Sequence, residues 1–365
     1  MPGAVIAIAR DGKLAHYKAY GHLDQGKGVT MPLNAVFGLA SMSKIMTSVA
    51  ALQLTEDGRL PLRSRLADYF PGFADMKVGV PQGDGTLRLD VQMRPIFIHD
   101  LFRHTSGLIY GGRSDHPIAK LYPNGTEPAL QGTTAEFIDR ITKLPLAHQP
   151  GTAFEYSFST DVLGVVVEKV AGQRLGDVLQ AKVWKPLGMV DTTFTLTEAI
   201  RPRVALPFPN NPLDGKPQSI VLIEKQSKFD CGGACAFGTV ADYLRFGQML
   251  LNGGVLDGQR VLSPKTVEHM TANHLGREIR NTVGGVEGHR EGFGFGLGVA
   301  VRTTAGLSAV PGNVGEYTWN GAYGTAFFAD PKERLVVVVG TAAPGELRKY
   351  YREQVQDLVY GAMTR

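Results

Sequence analysis

Ser41-Met42-Ser43-Lys44-Ile45-Met46-Thr47-Ser48-Val49-Ala50-Ala51-Leu52-Gln53-Leu54 sets a hydroxyl and an amine at the front of an apolar helical stretch. Residues three apart on a helix share one face, about one turn from each other, so Lys44 comes within reach of Ser41. Ile45, Met46, Val49, Ala50, Leu52 and Leu54 form a pattern too continuous for a surface helix, and Gly58 supplies a C-terminal stop. The helix is therefore expected to be buried. A lysine at the start of a buried helix loses hydration, which favours the neutral amine that can accept a proton. A serine beside such a base is an activated nucleophile. The S-x-x-K spacing alone also arises by chance in a chain of this size, so the assignment needs the other parts of an acyl-transfer site.

Working outward, residues 3–10 and 13–20 are separated by Asp11-Gly12, a dipeptide suited to a two-residue hairpin turn. Near the other end, Gly324 to Ala329 and Leu335 to Gly340 flank the turn Asp330-Pro331-Lys332-Glu333, and a helix is predicted from about Gly345 to Tyr360. The run Leu335 to Val339 reads as a central strand covered on both faces. Helix starts are marked at Thr133 (with Glu136 three later), Ser159, Thr239 and Ser263-Pro264. Strands at both termini around a helical middle predict an α/β (α+β) fold with an antiparallel sheet flanked by helices. Residues 1–60 and 230–365 would form this discontinuous domain, residues 61–229 a mainly helical one, with the active site in the cleft between them. Three stretches rich in Gly, Pro and Asp, around residues 71–95, 109–132 and 274–292, are predicted as loops walling that cleft.

The composition narrows the function class. A chain of 365 residues, 43% hydrophobic and 20% charged, can bury a substantial core. Its net charge of +4 is spread without a lysine or arginine run, so neither nucleic acid nor an anionic membrane is indicated as a partner. No stretch approaches the roughly 20 apolar residues of a membrane span. Two cysteines, Cys231 and Cys235, are too few for a disulfide framework or a cysteine-based zinc site, and they are expected as free thiols. With no signal peptide in this chain, a cytoplasmic protein acting on a small molecule is expected, though a longer exported precursor would give the same sequence after trimming.

Two further constellations supply candidate parts. Tyr156-Ser157-Phe158 follows Pro150-Gly151-Thr152 and precedes the helix start at Ser159, a place from which a tyrosine hydroxyl can aim into a cleft and work as a base beside an ammonium. Trp319-Asn320-Gly321-Ala322 ends a strand predicted from Glu316, and small residues there let a backbone N–H approach a ligand as an oxyanion donor. Other arrangements fare worse. There is no G-x-S-x-G elbow, and Gly292 to Gly298 lacks the lysine-serine ending of a phosphate cradle. His99 and His104 flank a short helix without an acidic partner at ligand spacing, so they read as structural.

Taken together, Ser41-x-x-Lys44, His104-Thr-Ser-Gly-Leu108, Tyr156-Ser157, Pro186-Leu-Gly-Met189 with Asp191-Thr-Thr-Phe194, Gly232-Gly233 with Asp242-Tyr243, and Trp319-x-Gly321 resemble the serine β-lactamase-like superfamily. The chain looks most like the family VIII carboxylesterases. That resemblance covers nearly the whole chain in order. It implies a β-lactamase/transpeptidase-like fold with Ser41 as nucleophile, Lys44 and Tyr156 as base and acid, and the backbone N–H groups of Ser41 and Ala322 as oxyanion hole. Trp319, Asn320, Gly321 and Phe158 would line the substrate pocket, and no metal or cofactor is implied.

Three departures from the family pattern matter. Trp319-Asn320-Gly321 stands where class C β-lactamases and penicillin-binding proteins have Lys-Thr-Gly, and Phe158 replaces the asparagine of Tyr-x-Asn. Both changes favour esters over lactams. Relatives also carry a helix before the Pro-Gly-Ala strand, whereas this chain begins at Met1-Pro2-Gly3, which leaves open a missing helix or a start internal to a longer protein. The expected activity is hydrolysis of short-chain esters. Class C-like β-lactamase, D-amino-acid peptidase or amidase, acyltransferase and a silent peptidoglycan-like binding module are the alternatives, and the sequence gives no oligomeric state.

Overall fold

Asp11 and Gly12 take φ of 53° and 71°, and the hairpin they turn joins strands Gly3–Arg10 and Lys13–Asp24. The computed structural model describes residues 1–125 and 131–364. Those two strands form part of an eight-stranded sheet whose remaining members come largely from the far end of the chain. Across the sheet the order is Phe293–Phe295, Ala300–Arg302, Tyr317–Asn320, Ala326–Asp330, Leu335–Thr341, Gly3–Arg10, Lys13–Asp24 and Val29–Thr30. Every pairing is antiparallel. Leu335–Thr341 lies between Ala326–Asp330 and Gly3–Arg10, buried at every residue, which accounts for its uninterrupted valines.

Period-two alternation gives the sheet two different faces. Val336 and Val338 join the main core, while Leu335, Val337 and Val339 pack with Phe328, Val355 and Val359 under the C-terminal helix Leu347–Gly361. On the core side the helix Val240–Leu251 sits close to the sheet, and Gly247 permits it: a Cβ there would meet Phe327 and Val336 at 2.6 and 2.8 Å. One apolar cluster continues from this face through Ser43–Glu56 to Ser159–Ala171 and Leu175–Leu179, so the sheet and the helical region share a core.

The four anticipated helix starts are present, three of them with side-chain caps; the helix that begins at Ser159 follows Phe158, which makes no cap bond. Thr133 and Glu136 form a reciprocal capping box, and Thr239 and Ser263 accept from the backbone N–H three residues on. The stretch 71–95 departs from the expected loop. It contains the hairpin Val78–Pro81 with Leu87–Asp90, whose turn residues dominated the reading of its composition. Of the second loop, residues 126–130 lie outside the described residues. Cys231 and Cys235 are also corrected: they form a disulfide, their Cα atoms 5.5 Å apart across a tight turn and within bridging range. Among the described residues, no helix is long and apolar enough to cross a membrane.

Candidate active site

Ser41 sits in a tight turn, Ala40–Met42, that runs directly into the buried helix Ser43–Glu56. The turn is fixed from several sides. Leu39 N–H donates to Ala236 O at 2.8 Å, Tyr243 Oη donates to Met42 O at 2.9 Å, and Ala236 N–H donates to Ser43 Oγ at 3.0 Å. Ala40 is held at φ 45°, a left-handed conformation that costs an alanine strain and that the surrounding bonds must maintain. The strained residue immediately precedes the candidate nucleophile. Ser41 itself is half-buried, whereas Lys44, one turn further on, is 1% exposed.

The Lys44 ammonium has two hydrogen-bond acceptors among the described residues, Gly233 O at 2.6 Å and Tyr110 Oη at 3.1 Å. It also lies 4.7 Å from the centre of the Tyr156 ring, within cation–π range. Tyr110 in turn donates to Asp161 Oδ2 at 3.0 Å, and Asp161 Oδ1 accepts from Gly233 N–H at 3.0 Å. Lysine, tyrosine, carboxylate and the backbone N–H and C=O of Gly233 thus close a buried ring. Burial, then the Asp161 and Tyr156 charges, raise the Tyr110 hydroxyl well above its ordinary range, so it stays a phenol able to donate. Burial also raises the Asp161 carboxyl, against the opposing pull of Lys44. Glycine is required at 233, because a Cβ would stand 2.3 Å from Asp161 Oδ2.

Tyr156 is packed among aromatic rings, with His104 at 4.9 Å, Trp319 at 5.0 Å and Tyr110 at 5.6 Å between centroids. Its hydroxyl accepts from Trp319 Nε1 at 3.2 Å. His104 is neutral, its pKa driven well below the usual value by burial and then by Lys44. Gly321 sits against the segment that leads to Ser41: a Cβ on it would meet Leu39 O at 2.4 Å and Thr325 Oγ1 at 2.2 Å. Glycine at this strand end thus permits close packing on the backbone carbonyl two residues before Ser41.

A cavity of about 200 Å³ is lined by Ser41, Tyr110, Arg113, Tyr156, Ala322 and Tyr323, among others. Ser41, Tyr156 and Ala322 thus meet at one opening, with Lys44 behind it. A second, polar recess of about 770 Å³ adjoins it, sharing Arg113, Asn124 and Tyr156. Loops 109–132 and 274–292 contribute to these walls through Arg113, Asn124, Arg280 and Thr282, and no residue of 71–95 does. Four anticipated pocket residues stand further back. Trp319 is 2% exposed and meets Tyr156 from behind, Asn320 and Gly321 are buried at the strand end, and Phe158 is fully buried with its ring 4.3 Å from that of Tyr110. Phe158 caps the Ser159–Ala171 helix from a position that turns its side chain into the core.

Tyr110 and Asp161 were missed in the sequence. Tyr110 follows the His104-to-Leu108 motif by two residues, which is the signal that would have found it; Asp161 in the first turn of an otherwise apolar buried helix is the other. Among the described residues, no group of three or more His, Cys, Asp or Glu side chains is arranged to hold a metal ion.

The chain is 31% identical over 356 residues to a lovastatin esterase of Penicillium rubens, covering 91% of this chain and 86% of that one. It is 29% identical over 365 residues to esterase EstB of Burkholderia gladioli, covering 93% and 85%. Among solved structures it resembles EstCE1, described as a hydrolase with promiscuous acyltransferase activity, at 27% identity and a TM-score of 0.79 over 99% of this chain and 94% of that one. The fold is β-lactamase/transpeptidase-like. The Beta-lactamase family model matches residues 1–359, and the chain belongs to that family.

Proposed function

We propose that the chain hydrolyses short-chain carboxylic esters through an acyl-serine intermediate. The observation that carries the reading is the meeting of Ser41, Tyr156 and Ala322 at one cavity, with the buried Lys44 ammonium between Tyr110 and the Tyr156 ring. Ser41 Oγ attacks the ester carbonyl, while Lys44 and Tyr156 share a proton, removing it from the hydroxyl and delivering it to the leaving alkoxide. The backbone N–H groups of Ser41 and Ala322 hold the oxyanion, each worth about 3 to 4 kcal/mol. Water activated by the same pair attacks the acyl-serine and releases the acid, restoring the hydroxyl. We assign the role of acylation base to Lys44 and Tyr156 together.

The cavity's volume of about 200 Å³ fits a short acyl chain, and the adjoining recess offers room for the alcohol. Esterase names among the relatives support an ester substrate, as does Trp319 in place of the lysine that the resemblance associates with a β-lactam carboxylate. The cleft between the sheet-bearing segments and the helical region, residues 61–229, would hold this site. A small-molecule ester is the partner we assign. In the cytoplasm, where we place the chain, thiols would keep the Cys231–Cys235 bridge in exchange; thiol-trapping of cell extracts that found only the oxidised pair would contradict that location.

Ser41→Ala assayed on p-nitrophenyl butyrate is expected to lose several orders of magnitude in turnover, and near-wild-type activity would overturn the serine mechanism. A chromogenic cephalosporin run beside the ester separates the lactam alternative, which faster lactam turnover would establish. Acyl transfer is a second reading, favoured by the description of EstCE1. Faster product formation on adding an alcohol acceptor would support it.

A further inference from the structure

The peptide that joins Gly321 to Ala322 is held from its carbonyl side by a buried arginine. Arg352, on the helix Leu347–Gly361, donates through Nη2 to Gly321 O and to Thr325 O, the latter at 3.0 Å, and through Nη1 to Glu287 Oε1. Gly324 N–H donates to the same Gly321 carbonyl at 3.0 Å. Glu287 closes the circuit by accepting from Asn320 Nδ2 at 2.6 Å, one residue before Gly321. Arg352 is 6% exposed and Glu287 7% exposed, so neither charge is leaning on solvent. Burial pulls the Arg352 guanidinium down to about 10, which leaves it charged at neutral pH. Burial alone would raise Glu287, but Arg352 and then Arg290 hold it down at about 2.

This arrangement bears on catalysis because a carbonyl and the next residue's N–H belong to one planar unit and point to opposite sides of a trans peptide. A cation fixed on the Gly321 oxygen orients the Ala322 N–H towards the other side, where Ala322 lines the cavity with Ser41. It also draws electron density to that oxygen, which makes the N–H a stronger donor. Among the described residues, Ala322 N–H makes no hydrogen bond of its own. We propose that Arg352 is a positioning residue for the oxyanion hole, acting through the Gly321–Ala322 peptide and balanced by Glu287. The inference rests on Ser41 and Ala322 being the oxyanion donors.

The experiment compares wild type, Arg352→Lys and the charge-balanced double variant Arg352→Met/Glu287→Gln, each checked for folding by circular dichroism and thermal melting. Turnover of p-nitrophenyl butyrate is measured beside binding of 1-butaneboronic acid, whose tetrahedral serine adduct places an oxygen in the hole, and of butyrate, which is planar. The double variant is expected to lose about 10- to 100-fold in kcat and in boronate affinity, with KM and butyrate affinity unchanged. Arg352→Lys should lose less, about three- to tenfold, because one ammonium cannot bridge Glu287 and Gly321 together. If the double variant does not fold, the lysine variant decides alone. Wild-type kcat and boronate affinity in a folded variant, or an equal loss of butyrate affinity, would overturn the positioning role. Ser41→Ala in the same assays separates the two claims: boronate bound equally by Ser41→Ala and wild type would sink the serine reading itself.

Discussion

Adding one methyl group at Gly321 should separate the two halves of the proposed oxyanion hole. In Gly321→Ala the new Cβ would lie 2.4 Å from Leu39 O and 2.2 Å from Thr325 Oγ1, where ordinary contact begins at 3.4 Å. The threonine hydroxyl can rotate away, at the loss of its bond to Leu39 O at 3.2 Å. The Leu39 carbonyl cannot, because it is backbone, and its own residue's N–H is tied to Ala236. The strand end and the Ser41 turn must therefore part by about 1 Å, a displacement that costs roughly 100-fold in rate when it misplaces catalytic groups. That corresponds to about 2.7 kcal/mol of transition-state stabilisation. Overpacking should also cost about 1 to 3 kcal/mol of stability. Steady-state kinetics on p-nitrophenyl butyrate, with thermal melting in parallel, should show kcat down about 100-fold and KM little changed. Gly83→Ala is the control, since a Cβ there meets nothing within 4 Å. A folded Gly321→Ala enzyme with kcat within about threefold of wild type would refute the reasoning.

Three other expectations follow from the buried groups. Tyr110→Phe removes the hydroxyl between Lys44 and Asp161, and should lower stability by about 2 to 3 kcal/mol and turnover at least about tenfold; wild-type values for both would show the hydroxyl to be dispensable. Glu287 is held at about 2 when folded against an ordinary 4.5, so the unfolded chain takes up its proton first as pH falls. Its contribution, about 3 kcal/mol at roughly 1.4 kcal/mol per pH unit, should be complete above pH 4.5 and vanish as pH falls to about 2. Chemical denaturation of wild type and Glu287→Gln across that window measures it, and a pH-independent difference would contradict it. Finally, Cys231 and Cys235 bracket the Gly233 carbonyl that holds Lys44. Reduction by a dithiol should slow ester turnover several-fold, and the Cys231→Ser/Cys235→Ser variant should be slow with or without the dithiol; unchanged turnover on reduction would show that the bridge does not support Lys44.

Local chemistry made much of the fold legible. Asp11-Gly12 needs only its own positive φ values to turn the first hairpin, and Thr133, Thr239 and Ser263 cap their helices through bonds three residues long. The valine run at 335–339 announced its burial because both faces of its strand are covered. What stayed hidden depends on contacts between distant segments. Tyr110 meets Lys44 across 66 positions and Asp161 across 51, and no spacing rule relates them. Arg352 and Glu287 are 65 positions apart and lie in elements whose own patterns look like a surface helix and a loop. Phe158 was misjudged by its neighbour: Tyr156 faces the cavity, and the residue two further on begins a helix that turns it into the core. The cysteine pair misled through its count, since a bridge four residues long needs only a turn and no framework.

The central claim is that Ser41 carries the acyl group. Rapid quenching of the enzyme during turnover of a slowly deacylating ester, followed by peptide mass spectrometry, tests it most directly. The account requires the acyl mass on the peptide containing Ser41, at close to one group per chain, with accumulation abolished in Lys44→Ala. An acyl group on another residue, or turnover with no covalent adduct at any time after mixing, would contradict it.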